Sequence, residues 1–107
     1  SIGEAQKIAI ARVLASDASI YILDEATASL DPLSEEKINR LIMNEAKNKT
    51  IIIISHRLSS VVDAKTIYLL ENGSFVEKGN HQQLLEKKGK YYKLFQTQKE
   101  LYVEKTK

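Results

Sequence analysis

Cysteine is absent from the 107-residue sequence, which excludes disulfides, thiolate zinc sites and cysteine nucleophiles. Long apolar runs are missing as well. The longest, such as Ile20 to Leu23 and Ile51 to Ile54, reach about four residues, against the roughly 20 a helix needs to span a bilayer. There is little excess charge of either sign, and a net charge of +2 does not argue for a nucleic-acid partner. The balance is uneven: residues 1–86 hold 9 Lys+Arg against 12 Asp+Glu, whereas residues 87–107 hold 7 against 2. Only the tail is basic, and it reads as a solvated lysine-rich helix face or as a contact for anionic lipid or another acidic surface. The sequence opens at Ser1 with neither methionine nor a charged-then-apolar leader, as expected of a piece of something larger.

The residues that are present suit a globular chain. With 43% hydrophobic and 28% charged residues, the composition does not suit a collagen or a disordered polymer. A chain of this size makes one domain at most, with a modest core.

The stretch Ile8 to Ala15 is apolar nearly all round and rich in helix formers, predicting a buried helix from about Gly3 to Ala15. Ile20 to Leu23 is an unbroken apolar run of strand length, as expected for a strand covered on both faces of a parallel sheet. Asp31-Pro32 supplies an N-cap and a first-turn proline, predicting a helix from about Pro32 to Lys47 with Ile38, Leu41, Ile42 and Ala46 on one stripe. Ile51 to Ile54 is a second strand dominated by β-branched residues. Strand, helix and strand in this order predict a βαβ unit with parallel strands. A short helical piece is expected near Leu58 to Asp63. Asn72-Gly73, between Thr66 to Leu70 and Phe75 to Val76, then predicts a tight antiparallel hairpin. Tyr91, Leu94, Phe95, Leu101 and Tyr102 recur at helical spacings, predicting an amphipathic C-terminal helix whose apolar stripe docks on the domain.

The chemistry concentrates at Asp24 and Glu25, two adjacent carboxylates delivered at the C-terminal end of the first strand, where open α/β sheets bind ligands. In nucleotide hydrolases the first such carboxylate holds Mg²⁺ and the second polarises the attacking water. The alternative is a polar pair where a strand leaves the core. His56 comes just after the second strand and, because parallel neighbours end on the same side, shares that edge; a lone histidine there is otherwise a hydrogen-bonded structural residue.

Ser1-Ile2-Gly3-Glu4-Ala5-Gln6-Lys7 through Arg12 resembles the signature motif of the ABC ATPases and the helix behind it. Ile20 to Glu25 is similar to the family's Walker B strand and catalytic glutamate, Ser29-Leu30-Asp31 to its D-loop, and His56 stands where the family has its switch histidine. The ending, Gly73 to Leu85 and Gly89-Lys90-Tyr91-Tyr92 to Gln98, resembles the exporter subclass with fused membrane domain, so the likeness covers the whole chain. It implies an α/β fold: the C-terminal part of a P-loop-type parallel sheet flanked by helices, with a terminal antiparallel hairpin and a C-terminal amphipathic helix. It also implies an ATP-hydrolysing role coupled to transmembrane export at the cytoplasmic face of the membrane. By the same resemblance Asp24 is the Mg²⁺ ligand, Glu25 the general base and His56 the γ-phosphate contact. Ser1, Gly3, Glu4 and Asp31 are nucleotide-facing, with Ser1 and Gly3 touching ATP held by a second nucleotide-binding domain and Asp31 signalling across that dimer. An N-cap role explains Asp31 equally well.

The sequence departs from the family pattern in two respects. Ile2 occupies a position that is normally glycine, which restricts the backbone and adds bulk beside a phosphate. No G-x-x-x-x-G-K-[ST] loop occurs anywhere in the chain, so the nest that cradles the β and γ phosphates is absent, as are the Q-loop and the adenine-stacking aromatic. The chain is therefore expected to be the C-terminal part of a nucleotide-binding domain, unable to hydrolyse ATP alone, and an asymmetric heterodimer is favoured. Three other classes match less well. DNA-associated ABC ATPases carry sustained heptads beside the motifs, and none is seen. A DEAD-like helicase needs a basic channel, against which the acidic balance of residues 1–86 argues. A non-catalytic interaction module would lack nucleotide binding.

Overall fold

Five-residue strands rich in isoleucine organise the first half of the protein. The computed structural model describes residues 2–106, with side chains through Leu101, and the chain divides into two units, Ser1–His56 and Arg57–Lys107. In the first unit β1 (Ile20–Asp24) and β2 (Thr50–Ile54) pair in parallel, with Ile20 opposite Thr50 and Asp24 opposite Ile54. The connection contains α2 (Pro32–Glu45), whose start is set by local chemistry: Asp31 is the N-cap, its Oδ1 accepting the Ser34 N–H at 3.2 Å, with proline at the first turn. Helix α1 (Ile2–Ala15) precedes β1. Ile10 of α1, Leu23 of β1 and Ile42 of α2 form the buried centre, joined by Val13, Leu14, Ile38, Ile51 and Ile53.

Strand alternation sends Tyr21 and Leu23 inward, both buried, and leaves Ile20 and Ile22 57% and 62% exposed. The same alternation exposes Ile52 and Ile54. The expectation of strands covered on both faces is therefore corrected: β1 and β2 are covered on one face within this unit. The period of two forces every second side chain away from the helices. Helix α1 is likewise not buried all round. Ile10 is buried while Ile8 and Ile2 are exposed, because a helix resting on one surface buries one stripe. On α2 Ile42 is buried, as is Ala46 at its C-cap, whereas Leu41 is exposed.

The second unit opens with a single 3₁₀ turn, Leu58–Ser60, followed by β3 (Ile67–Glu71) and β4 (Ser74–Gly79). Asn72 and Gly73 adopt φ of +50° and +79°, the positive pair that a two-residue hairpin turn requires. A bulge interrupts the ladder, since Leu70 pairs with Phe75 but Leu69 pairs with Glu77. A capping box then starts α3 (His81–Lys87): Asn80 Oδ1 accepts the Gln83 N–H at 2.8 Å while Gln83 Oε1 accepts the Asn80 N–H at 2.9 Å. Helix α4 (Lys90–Thr106) is capped from a distance instead. The Glu77 carboxylate of β4 accepts the N–H groups of Lys90 at 2.7 Å and Tyr91 at 3.3 Å, placing negative charge at the positive end of the helix.

Leu58, Ile67, Leu84 and Tyr91 make the core of this unit, with Leu69, Leu85 and Phe95 packed against it. Tyr91 is fully buried, its hydroxyl 2.8 Å from His81 Nδ1. Burial pushes the Tyr91 phenol above its ordinary pKa. The docking of the α4 stripe holds for Tyr91 and Phe95 and fails for Leu94 and Leu101, which are 42% and 53% exposed. A helix of 17 residues runs about 25 Å and extends beyond the short α3 against which its first turns pack. The Tyr102 side chain lies outside the described residues. Among the described residues no helix is long and apolar enough to cross a membrane.

Gly89 carries a close approach: a Cβ there would lie 2.5 Å from Glu77 Oε2. Gly89→Ala should therefore lower stability by about 1 kcal/mol through loss of the cap, even though alanine is the better helix former. Denaturant midpoints of the intact protein check this, and in a Glu77→Ala background the Gly89 substitution should cost much less, since its effect acts through that carboxylate. Tyr91→Phe should cost about 1 kcal/mol for the lost hydrogen bond to His81, read by the same midpoints.

Candidate functional site

Parallel pairing brings the ends of β1 and β2 to one edge, and the candidates Asp24, Glu25 and His56 lie there. The Glu25 N–H donates to the Ile54 carbonyl at 2.8 Å, extending the ladder one residue past the strand. Glu25 then takes φ of +52°, an uncommon conformation for a residue with a side chain. Its carboxylate Oε1 accepts the His56 backbone N–H at 2.9 Å and lies 3.5 Å from His56 Nε2. The Glu25 side chain is 30% exposed and that of His56 is 97% exposed. Asp24, the last residue of β1, is exposed beside them. Two carboxylates and an imidazole thus share one edge, open to a ligand from solvent.

Gly3 and Glu4 lie in the first turn of α1, half-buried and exposed respectively, and Ile2 before them is 72% exposed. Ser1 lies outside the described residues. Asp31 sits at the α2 N-cap, where hydrogen bonding from Ser34 holds its carboxyl below its ordinary value of 3.8. Its visible work there is the cap.

Among the described residues no three His, Asp or Glu side chains are grouped to hold a metal ion by themselves. A single exposed carboxylate at Asp24 nonetheless fits Mg²⁺, which takes one or two protein carboxylates and completes its octahedron with phosphate and water.

No model of a protein family matches the chain. Comparison with curated proteins finds 46% identity over 99 residues to an uncharacterized ABC transporter ATP-binding protein of Haemophilus influenzae, covering 92% of this chain and 18% of that protein. An ATP-dependent lipid A-core flippase of Idiomarina loihiensis is 48% identical over 96 residues, covering 90% of this chain and 16% of the flippase. Among solved structures, a bacterial Atm1-family ABC exporter with ATP bound superposes with a TM-score of 0.82 at 40% identity, covering 92% of this chain and 17% of that one. Over about nine tenths of its length the chain is homologous to ATP-binding proteins of ABC transporters. It spans about a sixth of the length of the curated relatives it matches, at 16–18%.

To this ABC framework the structure adds a residue that motif spacing does not single out. Gln6 of the signature-like segment is half-buried, with its carboxamide against the turn that begins at Glu25. Its signal in the sequence is faint: a neutral amide between Glu4 and Lys7 in the first turns of a helix is also an ordinary surface residue.

The Asp31 cap sets a pH dependence whose sign is fixed. A carboxyl depressed in the folded state adds stability that is complete above its unfolded value and is lost as pH falls through the folded one. Asp31→Asn should keep the cap and remove this contribution to the acid limb, whereas Asp31→Ala should lower the melting temperature at neutral pH. Melting curves between about pH 2 and about pH 7, on the order of one measurement per pH unit, check both outcomes.

Proposed function

We propose that the chain is the C-terminal part of a nucleotide-binding domain that hydrolyses ATP to drive export across a membrane, on whose cytoplasmic face it lies. The observation that carries this reading is the Glu25 carboxylate, held at 2.9 Å by the His56 N–H beside Asp24, within a chain 40% identical in sequence to an ATP-bound exporter structure. The exposed isoleucines of β1 and β2 support the partial-domain reading, since a parallel sheet of this type is ordinarily covered on both faces.

In this mechanism Glu25 accepts a proton from the water whose oxygen bonds to the γ-phosphorus, while the bond from that phosphorus to the bridging oxygen breaks and ADP leaves with the electron pair. The His56 backbone amide fixes the acceptor oxygen, and the exposed imidazole of His56 faces the phosphate. Asp24 would hold Mg²⁺, which would supply charge neutralisation on the phosphates. Gly3, Glu4 and Ser1, at the start of α1, face nucleotide held by a second nucleotide-binding domain, where helix N–H groups suit an anion. Asp31 signals across that dimer. The phosphate loop is contributed by a part of the parent outside these residues, so the 107-residue chain alone is inactive.

The parent protein is further proposed to act in a heterodimer. Ile2, 72% exposed, stands where the family has glycine, so it burdens the partner's ATP site while Glu25 and His56 serve this chain's own. A partner with a sound signature and a replaced glutamate completes the asymmetry. Purification through a tag on this subunit alone should recover two different polypeptides; a single species with full ATPase activity would overturn the asymmetric assembly.

For the catalytic assignment, Glu25→Gln in the full-length protein should leave ATP binding intact and reduce hydrolysis by about 10²- to 10⁴-fold, the usual weight of a general base. His56→Ala should also depress the rate. Hydrolysis in Glu25→Gln above roughly a tenth of the parent rate removes Glu25 from the role.

A further inference from the structure

The carboxamide of Gln6 spans the two ends of the turn that carries Glu25. Its Oε1 accepts the Ser29 N–H at 2.9 Å, and its Nε2 donates to the Glu25 carbonyl at 3.5 Å. The orientation is forced by its neighbours, because a backbone N–H only donates and a carbonyl only accepts. Between those ends the turn has its own hydrogen bond, from the Ala28 N–H to the Glu25 carbonyl at 3.2 Å. That bond leaves the Ser29 amide to Gln6.

We infer that Gln6 is a positioning residue for the proposed general base: by clamping the Glu25–Ser29 turn from the first turns of α1, it holds Glu25 in the left-handed conformation that aims its carboxylate at the His56 amide. The inference rests on the reading of Glu25 as the base. A residue at φ +52° sits in a sparsely populated region and persists only where its surroundings over-determine it. Contacts from outside the turn do so here: the Ile54 carbonyl on the Glu25 N–H, the His56 N–H on its side chain and Gln6 on its own carbonyl. The pairing needs one donor and one acceptor on a side chain of fixed length. Glutamate supplies no donor at neutral pH, lysine no acceptor, and asparagine is one methylene shorter. Gln6 also ties the start of α1, where Gly3 and Glu4 lie, to the turn bearing Glu25, linking the signature-like segment to the base through a single side chain.

The test uses the full-length protein with Gln6→Met, which preserves length and packing but neither hydrogen bond, beside Gln6→Glu, which retains an acceptor for Ser29. Gln6→Met should lower kcat for ATP hydrolysis by about ten- to a hundredfold, the scale set by misplacing a reacting group by about 1 Å. KM for ATP should stay within about twofold, and the Gln6→Glu rate should fall between Gln6→Met and the parent. Amide exchange in the Ala26–Ser29 turn should accelerate in Gln6→Met and stay near the parent rate elsewhere. A merely structural side chain would instead lower the melting temperature without this split between kcat and KM. An inactive Glu25→Gln variant beside a Gln6→Met variant of parental kcat overturns this inference alone. A Glu25→Gln variant that still turns over overturns the base reading and this inference with it.

Discussion

The in-register parallel pairing of β1 and β2 is the constraint on which the candidate site depends. Parallel strands end on the same side of a sheet, so residues at the two exits become neighbours although far apart in sequence. Asp24 pairs with Ile54 in the ladder, and one further hydrogen bond, from the Glu25 N–H to the Ile54 carbonyl, carries the pairing to the point where Glu25 turns. A slip of one residue would send the inward side chains Tyr21 and Leu23 to the opposite face and carry Glu25 away from His56.

Just past the strand, local strain is balanced against the contacts that hold it. Glu25 adopts a left-handed backbone without the freedom of glycine, and its neighbours fix it through its N–H, its side chain and its carbonyl. Such rigid placement is what the proton-accepting role proposed for Glu25 demands, since a catalytic group must lie within about 0.5 Å of the productive geometry. His56 meets the same carboxylate twice, through its backbone amide and through a solvent-exposed ring whose Nε2 lies 3.5 Å away.

The second unit solves a different problem with long-range polar contacts. Its last helix begins at Gly89-Lys90, without a serine, threonine, aspartate or asparagine at the cap, and the missing acceptor comes from Glu77 on the hairpin. A Cβ at residue 89 would lie 2.5 Å from the same carboxylate. Tyr91, one residue beyond Lys90, buries its ring completely and satisfies its hydroxyl on His81. A buried phenol without that partner would cost about as much as a lost hydrogen bond.

Several features are legible in the sequence because their causes are local. The Asp31-Pro32 cap, the Asn72-Gly73 turn and the isoleucine-rich strands each arise from the preferences of adjacent residues. The carboxylate pair and His56 can be placed on one edge because a helix between two strands implies parallel pairing. Other features depend on distant partners and leave no local trace. The apolar runs of β1 and β2 do not say that one face stays uncovered within their unit, because alternation is invisible when every residue is hydrophobic. The stripe on α4 does not say which members dock, because that depends on where α3 ends. The Gln6 clamp spans 23 residues, the Glu25–His56 contact 31 and the Glu77 cap 13. The sequence alone determined which residue types reach the edge and which elements carry them. Only the tertiary structure decided which atoms meet, because hydrogen bonds between distant residues are selected by backbone geometry that no local preference specifies.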